Sequence, residues 1–143
     1  LRVKAQNRNA KRLAKWLDKH PLVERVYYPG LKSHPDYELF KTMYNQEYGF
    51  GGILTIDVGN LDKANELMEL MQNENLGYLA VSLGFYKTLF SAPGTSTSSE
   101  IPEDEQVEMG LSDGIIRFSI GLDNDIERTY RAMRKCMKQV GVL

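Results

Sequence analysis

The 143-residue sequence is poor in the residues that mark disulfide, metal and membrane proteins: it has one cysteine, two histidines and one tryptophan. A single thiol, Cys136, forms no internal disulfide, and with nothing resembling a signal peptide at the N-terminus a reducing cytoplasm is the expected compartment. His20, His34 and Cys136 are far apart in the chain, so no ligand-spaced cluster exists and no metal is expected. No apolar run approaches the ~20 residues of a membrane-spanning helix, which leaves no membrane role. An excess of charge of one sign is missing too. With 18 basic and 19 acidic residues the formal net charge is −1, and nucleic acid is not an expected partner without the field of a phosphate-backbone binder. Repeats and low-complexity linkers are absent, and one domain suffices. Two chemical motifs fail on inspection. "VSLG" lacks the glycine that a nucleophile elbow needs before its serine. "GFGG" runs into a strand pattern and has no Lys-Ser/Thr after it, so it reads as a flexible strand entry and not as a phosphate cradle.

What the sequence does contain is 42% hydrophobic and 26% charged residues, the composition of a globular chain able to bury a core. It opens within an amphipathic helical pattern that has no capping residue before it, as expected of a piece of a longer protein. Ala10, Leu13, Ala14 and Leu17 recur at helical spacing, and Arg8, Lys11, Arg12, Lys15 and Lys19 form a solvated basic face. A short β-rich run through Val23, Val26 and Tyr28 follows, closed by Pro29 and Gly30. Pro35 precedes a short helix with apolar Leu39, Phe40 and Met43. The run Ile53 to Val58 predicts a strand. Asn60 is a cap for a helix bearing Ala64, Leu67, Met68 and Met71, with Gly77 beyond its end. "YLAVSLG" predicts a third strand. A long connection comes next, with a short helix around Glu103 to Met109; ordered loops of that length tend to be functional. The last strand contains "IIRFSIG". The last helix has Asn124 and Glu127 at capping-box spacing and a seam of Ile126, Tyr130, Met133, Met137 and Val140. The order predicts an α+β domain: about four strands, mixed or mainly antiparallel, packed with helices.

The strand "SDGIIRFSIGLD" raises the chemical question. Alternation puts Ile116, Phe118 and Ile120 on one face and Ile115, Arg117, Ser119 and Gly121 on the other. Arg117 is either a polar-out residue of a half-exposed strand or an anion anchor, because a guanidinium offers a planar two-pronged grip on a carboxylate and a strand holds it rigidly. The hydroxyl-rich run "GTSTSS" suits a polar pocket wall and a solvated loop equally. Residue chemistry alone leads to an anion-binding α+β domain.

Four segments in order, "RVYYPGLKSHPDYELFK", "GFGGILTIDV", "VSLGFYKTLFSAPGTSTSS" and "LSDGIIRFSIGLD", resemble the C-terminal part of the Cys/Met-metabolism family of pyridoxal 5'-phosphate (PLP) enzymes. That family includes methionine γ-lyase, cystathionine γ-lyase and γ-synthase, and O-acetylhomoserine sulfhydrylase. The resemblance covers essentially the whole chain, residues 1–143. It implies the small C-terminal domain of a fold-type I, aspartate-aminotransferase-like subunit. It also implies that the Schiff-base lysine and most of the PLP site lie in a large domain outside this sequence. Lys87, the only lysine between residues 64 and 134, is not at the Schiff-base position, and the fragment by itself is expected to be inactive.

By the same resemblance Arg117 matches the arginine that grips the substrate α-carboxylate, and Ser82 the serine whose hydroxyl helps position the catalytic lysine. Thr97 matches a threonine of the pocket wall, although Ser98 stands where the family usually has histidine. Val81 stands where cystathionine-cleaving members commonly carry Glu. An apolar residue there suits a thioether-methyl or acyl substrate better than cystathionine's charged far end. The implied activity is that of a PLP-dependent C–S lyase of sulfur amino acids, closest in type to methionine γ-lyase and working as a homotetramer in which the chain's own large domain is its partner. The alternatives are a sulfhydrylase, a γ-synthase or a cystathionine lyase of the same family. From another class, the alternative is a non-catalytic small-molecule-binding regulatory module.

Overall fold

The computed structural model describes residues 1–20, 23, 25–96 and 98–143. Among these it has five helices, α1 (Arg2–Leu17), α2 (Tyr37–Met43), α3 (Leu61–Asn73), α4 (Glu103–Glu108) and α5 (Ile126–Gln139), and one 3-10 turn at Pro93–Thr95. The strands are β1 (Arg25–Tyr27), β2 (Ile53–Asp57), β3 (Tyr78–Leu79), β4 (Leu89–Ser91) and β5 (Ile115–Ser119). They form one sheet in the order β1-β2-β5-β4-β3, antiparallel except for the parallel β3–β4 pair. None of the helices is long and apolar enough to cross a membrane.

The α+β expectation holds, with two corrections. The run "YLAVSLG" is a strand only at Tyr78–Leu79, and Ser82 sits in the irregular segment that follows. The long connection hides the fifth strand, β4, whose three residues are all buried between β3 and β5. Three residues are too few to show alternation, so pairing with both neighbours decides the conformation more than local pattern does.

One face of the sheet carries the core. Leu54, Ile56, Phe90, Ile116 and Phe118 are almost fully buried there, against Leu13 and Leu17 of α1, Leu67 and Met71 of α3, and Met133 and Met137 of α5. The periodic apolar positions of α1 and α3 fall on this core as expected, and the basic face of α1 is exposed. At the start of α3, Asn60 Oδ1 accepts the Lys63 N–H at 2.9 Å. The helix ends in a Schellman turn in which Asn75 takes the left-handed conformation (φ 58°) and the Leu76 N–H reaches the Met71 carbonyl at 2.9 Å.

Helix α5 starts one residue later than the spacing of Asn124 and Glu127 predicts. Asp123 Oδ1 accepts the Asp125 N–H at 2.9 Å, and this local turn makes Asp125 the cap, accepting from Arg128 N at 3.1 Å. His34 is a turn histidine, its Nδ1 accepting the Asp36 N–H at 3.1 Å, and Cys136 is buried on the core side of α5, where burial pushes its thiol pKa up. No group of three metal-ligating side chains occurs among the described residues.

Around "GFGG", the Phe50 ring stacks with Tyr37, Phe40 and Tyr44 at centroid distances of 4.3–5.8 Å. This cluster seats α2, whose Leu39 and Met43 nevertheless point outward and are 58% and 66% exposed. Tyr28 lies fully buried nearby and donates its hydroxyl to the Gly51 carbonyl at 3.1 Å. Burial pushes its pKa from 10.0 up to about 12. The folded state therefore keeps a proton that the unfolded chain loses above pH 10. Stability from this residue is complete below pH 10 and falls by about 2–3 kcal/mol as pH rises to 12, at about 1.4 kcal/mol per unit. A denaturation series across that window should show the fall, and Tyr28→Phe should reduce it by this residue's share, leaving that of Tyr130, whose pKa burial also pushes up to about 12.

Candidate functional site

The face of the sheet opposite the core is polar at its centre. Pairing sets Tyr27 of β1, Thr55 of β2, Arg117 of β5 and Ser91 of β4 in one row across the sheet, all on the same side. Ile115 and Ser119 flank Arg117 along β5 on that side, and each is only 4% exposed. Arg117 itself is half-buried. Its neighbours in the row and along the strand are wholly or partly withdrawn from water, so the guanidinium rises from a surface that is only partly solvated.

Two cations share the face. Arg25 is engaged, its Nη1 3.4 Å from the Tyr27 hydroxyl and its guanidinium 5.1 Å over the Tyr27 ring. The carboxylate on the face, Asp57, is also satisfied: it accepts from Gly59 N at 2.9 Å and from the Ser112 hydroxyl at 2.6 Å. The three ion pairs among the described residues are Lys4–Glu47, Lys41–Glu38 and Lys135–Glu74, so Arg117 has no carboxylate partner among them. A half-buried guanidinium without a carboxylate partner among the described residues, placed at the middle of a central strand, can offer its planar fork of donors to an anion.

The segment bearing Val81 and Ser82 is fastened to this same face. The Gly84 N–H donates to Ser119 Oγ at 2.9 Å, two residues along β5 from Arg117. From the other side, α1 holds the segment by Arg2 Nη2 to the Gly84 carbonyl at 2.6 Å and Gln6 Nε2 to the Phe85 carbonyl at 3.1 Å. The structure thus brings the Ser82 segment and the Arg117 strand together through Ser119. Ser82 is exposed and Val81 is 60% exposed, as are Leu83, Phe85 and Tyr86 to comparable degrees. Thr97 lies outside the described residues. Its neighbours place the hydroxyl run after β4: Ser96 Oγ donates to the Ala92 carbonyl at 2.6 Å, and Gln106 Nε2 donates to the Ser98 carbonyl at 3.2 Å.

Sequence reasoning missed Ser119 as the fastening and Ser91 as the neighbour of Arg117. Strand parity already puts Ser119 on the arginine's face, but β4, which carries Ser91, has no pattern of its own. Ser119→Ala should free the Gly84 N–H and loosen the Ser82 segment. The expected loss is about 1 kcal/mol of stability, measured by denaturation of the full-length protein.

Two clefts adjoin the segment. One, of about 480 Å3, runs between α1 and the start of β2 and meets the site at Leu83, Gly84 and Ser119. The other, of about 470 Å3, lies on the far side, between the end of α3 and the start of α5. Lys87 lines the far cleft and is occupied there, its Nζ 2.9 Å from Asn75 Oδ1 and 4.8 Å over the Tyr78 ring. It has no place on the arginine's face. The described residues of this face offer guanidinium groups and hydroxyls but no amine, so by themselves they do not form a Schiff-base cradle for PLP.

Fold and site together define an α+β unit whose sheet presents a half-buried arginine, without a carboxylate partner among the described residues, beside a fastened serine-bearing segment. A family model described as "Cys/Met metabolism PLP-dependent enzyme" matches residues 1–133. The chain belongs to this family, and its architecture is that of fold-type I PLP enzymes. It is 45% identical over 112 residues to a methionine gamma-lyase of Arabidopsis thaliana, covering 78% of this chain and 25% of that protein. With a cystathionine gamma-lyase of Bacillus subtilis it shares 38% identity over 124 residues, 87% of this chain and 31% of the other. A solved structure from Campylobacter jejuni described as a "putative O-acetylhomoserine (thiol)-lyase", which holds a pyridoxyl-lysine phosphate group, superposes with a TM-score of 0.86 at 29% identity. That match covers 96% of this chain and 31% of the other, so the chain spans about a quarter to a third of the length of these relatives.

Proposed function

We propose that the chain is the C-terminal, substrate-carboxylate-binding domain of a PLP-dependent C–S lyase of the methionine γ-lyase type. The observation that carries the reading is Arg117, half-buried, free of any carboxylate among the described residues and set at the centre of the polar face. PLP, held by the large domain that this chain does not include, supplies the electron sink that makes a Cα proton removable and a γ-substituent expellable. The chain's own residues bind and orient the substrate. Arg117 binds the α-carboxylate by two parallel hydrogen bonds and so fixes which Cα bond faces the base. Ser82 offers its hydroxyl to position the catalytic lysine of the large domain. Val81 presents an apolar surface to the substrate's far end, and Thr97 contributes to the pocket wall.

The exposure of Val81, Ser82 and Leu83 fits a face that the large domain covers in the assembled protein, proposed as a cytoplasmic homotetramer. Val81 favours a thioether-methyl or acyl substrate over cystathionine, since a charged group left unmatched against it would bear its full desolvation penalty. For methionine and water the products are methanethiol, 2-oxobutanoate and ammonia. The likeness to an O-acetylhomoserine (thiol)-lyase structure favours one second reading, replacement by an added thiol after the same carboxylate binding. Incubating the full-length enzyme with L-methionine and no added thiol separates them: 2-oxobutanoate release supports the lyase, and turnover only of an acyl-homoserine with an obligatory thiol overturns it.

A further inference from the structure

The hydroxyl of Ser91 is enclosed and has no hydrogen-bond partner among the described residues, although the residue is only 4% exposed. Buried polar groups are nearly always paired, and one that is not calls for an explanation at a functional site. The residue that stands beside it explains it. Ser91 of β4 and Arg117 of β5 are direct partners across an antiparallel pair, so their side chains rise side by side from the same face. On the other flank of Arg117 stands Thr55. A guanidinium has five N–H donors, and a bidentate carboxylate uses two of them. The remaining donors need an acceptor that does not compete for the substrate, and a serine oxygen meets that need without adding charge.

We infer that Ser91 is a positioning residue for Arg117: in the ligand-bound state its Oγ accepts a guanidinium N–H and holds the fork facing the substrate carboxylate. The inference rests on the carboxylate-binding role of Arg117. The hydroxyl is enclosed and unpaired among the described residues, and on this inference its partner is the guanidinium of an arginine engaged with its ligand. This assigns a cost to the resting fold and a benefit to the bound state, the pattern expected of a preorganised site and the reverse of a packing residue.

The experiment uses the full-length holoenzyme and glycine, an amino acid with no γ-substituent to expel, whose dissociation constant is read from the cofactor's absorbance. Ser91→Ala is expected to weaken glycine binding about tenfold, the worth of one hydrogen bond to a charged group. It should leave the thermal midpoint unchanged or raised, because an unpaired buried hydroxyl is removed. Ser91→Thr, which keeps the hydroxyl, should bind glycine within about threefold of the parent. In an Arg117→Gln background Ser91→Ala should have no further effect. The inference is overturned if Ser91→Ala leaves glycine binding intact while Arg117→Gln weakens it, or if the alanine effect is as large without the arginine as with it. A lowered thermal midpoint that Ser91→Thr does not restore, together with weaker binding, makes Ser91 a packing residue and also overturns it. If Arg117→Gln itself leaves glycine binding unchanged, the carboxylate clamp fails and this inference fails with it.

Discussion

Arg117→Lys in the full-length enzyme is expected to lower kcat/KM for the amino-acid substrate by about two to three orders of magnitude. Lysine keeps the positive charge, so a site that needed only charge would tolerate it. A carboxylate gripped by a planar fork does not, because an ammonium group is a point donor that cannot make two parallel bonds or fix the plane of the carboxylate. Disrupting one partner of a desolvated, hydrogen-bonded charge pair costs about 2–5 kcal/mol, which spans the expected loss. The surroundings strengthen the case, since Ile115, Ser119 and Ser91 are all buried around the arginine and little water is there to compensate a poorer contact. Steady-state kinetics decide the matter: a change in kcat/KM below about threefold would mean that the carboxylate is bound elsewhere.

Gly121→Ala carries the second large effect, and it explains a residue that the sequence pattern leaves as a mere strand end. A methyl group at this position would lie 2.5 Å from the Tyr86 carbonyl oxygen, 2.5 Å from the Lys87 carbonyl carbon and 2.6 Å from the Thr88 nitrogen. All three are backbone atoms, so no side chain can swing aside. They belong to the chain that links the Ser82 segment to β4, which is tied to the end of β5 by Leu122 N to the Tyr86 carbonyl at 2.7 Å and Gly121 N to Thr88 Oγ1 at 3.0 Å. Forcing the backbones apart should cost about 2–4 kcal/mol. The full-length protein should lose several degrees of thermal midpoint and, because the Ser82 segment moves with the backbone, bind substrate more weakly. An alanine variant with unchanged midpoint and KM would show that this close approach is absent.

The parts of the fold that sequence reveals are those set by long periodic patterns. The apolar stripes of α1, α3 and α5 each follow one face over several turns, so burial of Leu13, Leu67 and Met137 is readable residue by residue. β4 is not readable, because a three-residue strand is defined by the strands that pair with it. The outward-facing Leu39 and Met43 show the converse: an apolar residue on a short helix signals a core only if something in the chain covers it. For the site, strand alternation puts Arg117 opposite the core and the order of motifs gives it a role, and the structure adds that its neighbours in the row are Thr55 and Ser91. The fastening of Gly84 to Ser119 is beyond pattern reading, since it joins residues 35 positions apart. Thr97 lies outside the described residues, and its contribution rests on the resemblance alone.

Whether this chain supplies the grip on the substrate's α-carboxylate is decided most directly by a crystal structure of the full-length enzyme with a bound amino acid. Both carboxylate oxygens should lie within about 3 Å of the Arg117 guanidinium nitrogens, with the Ser82 segment beside the ligand. A carboxylate held by residues outside this chain, with Arg117 turned away from it, would contradict the assigned role.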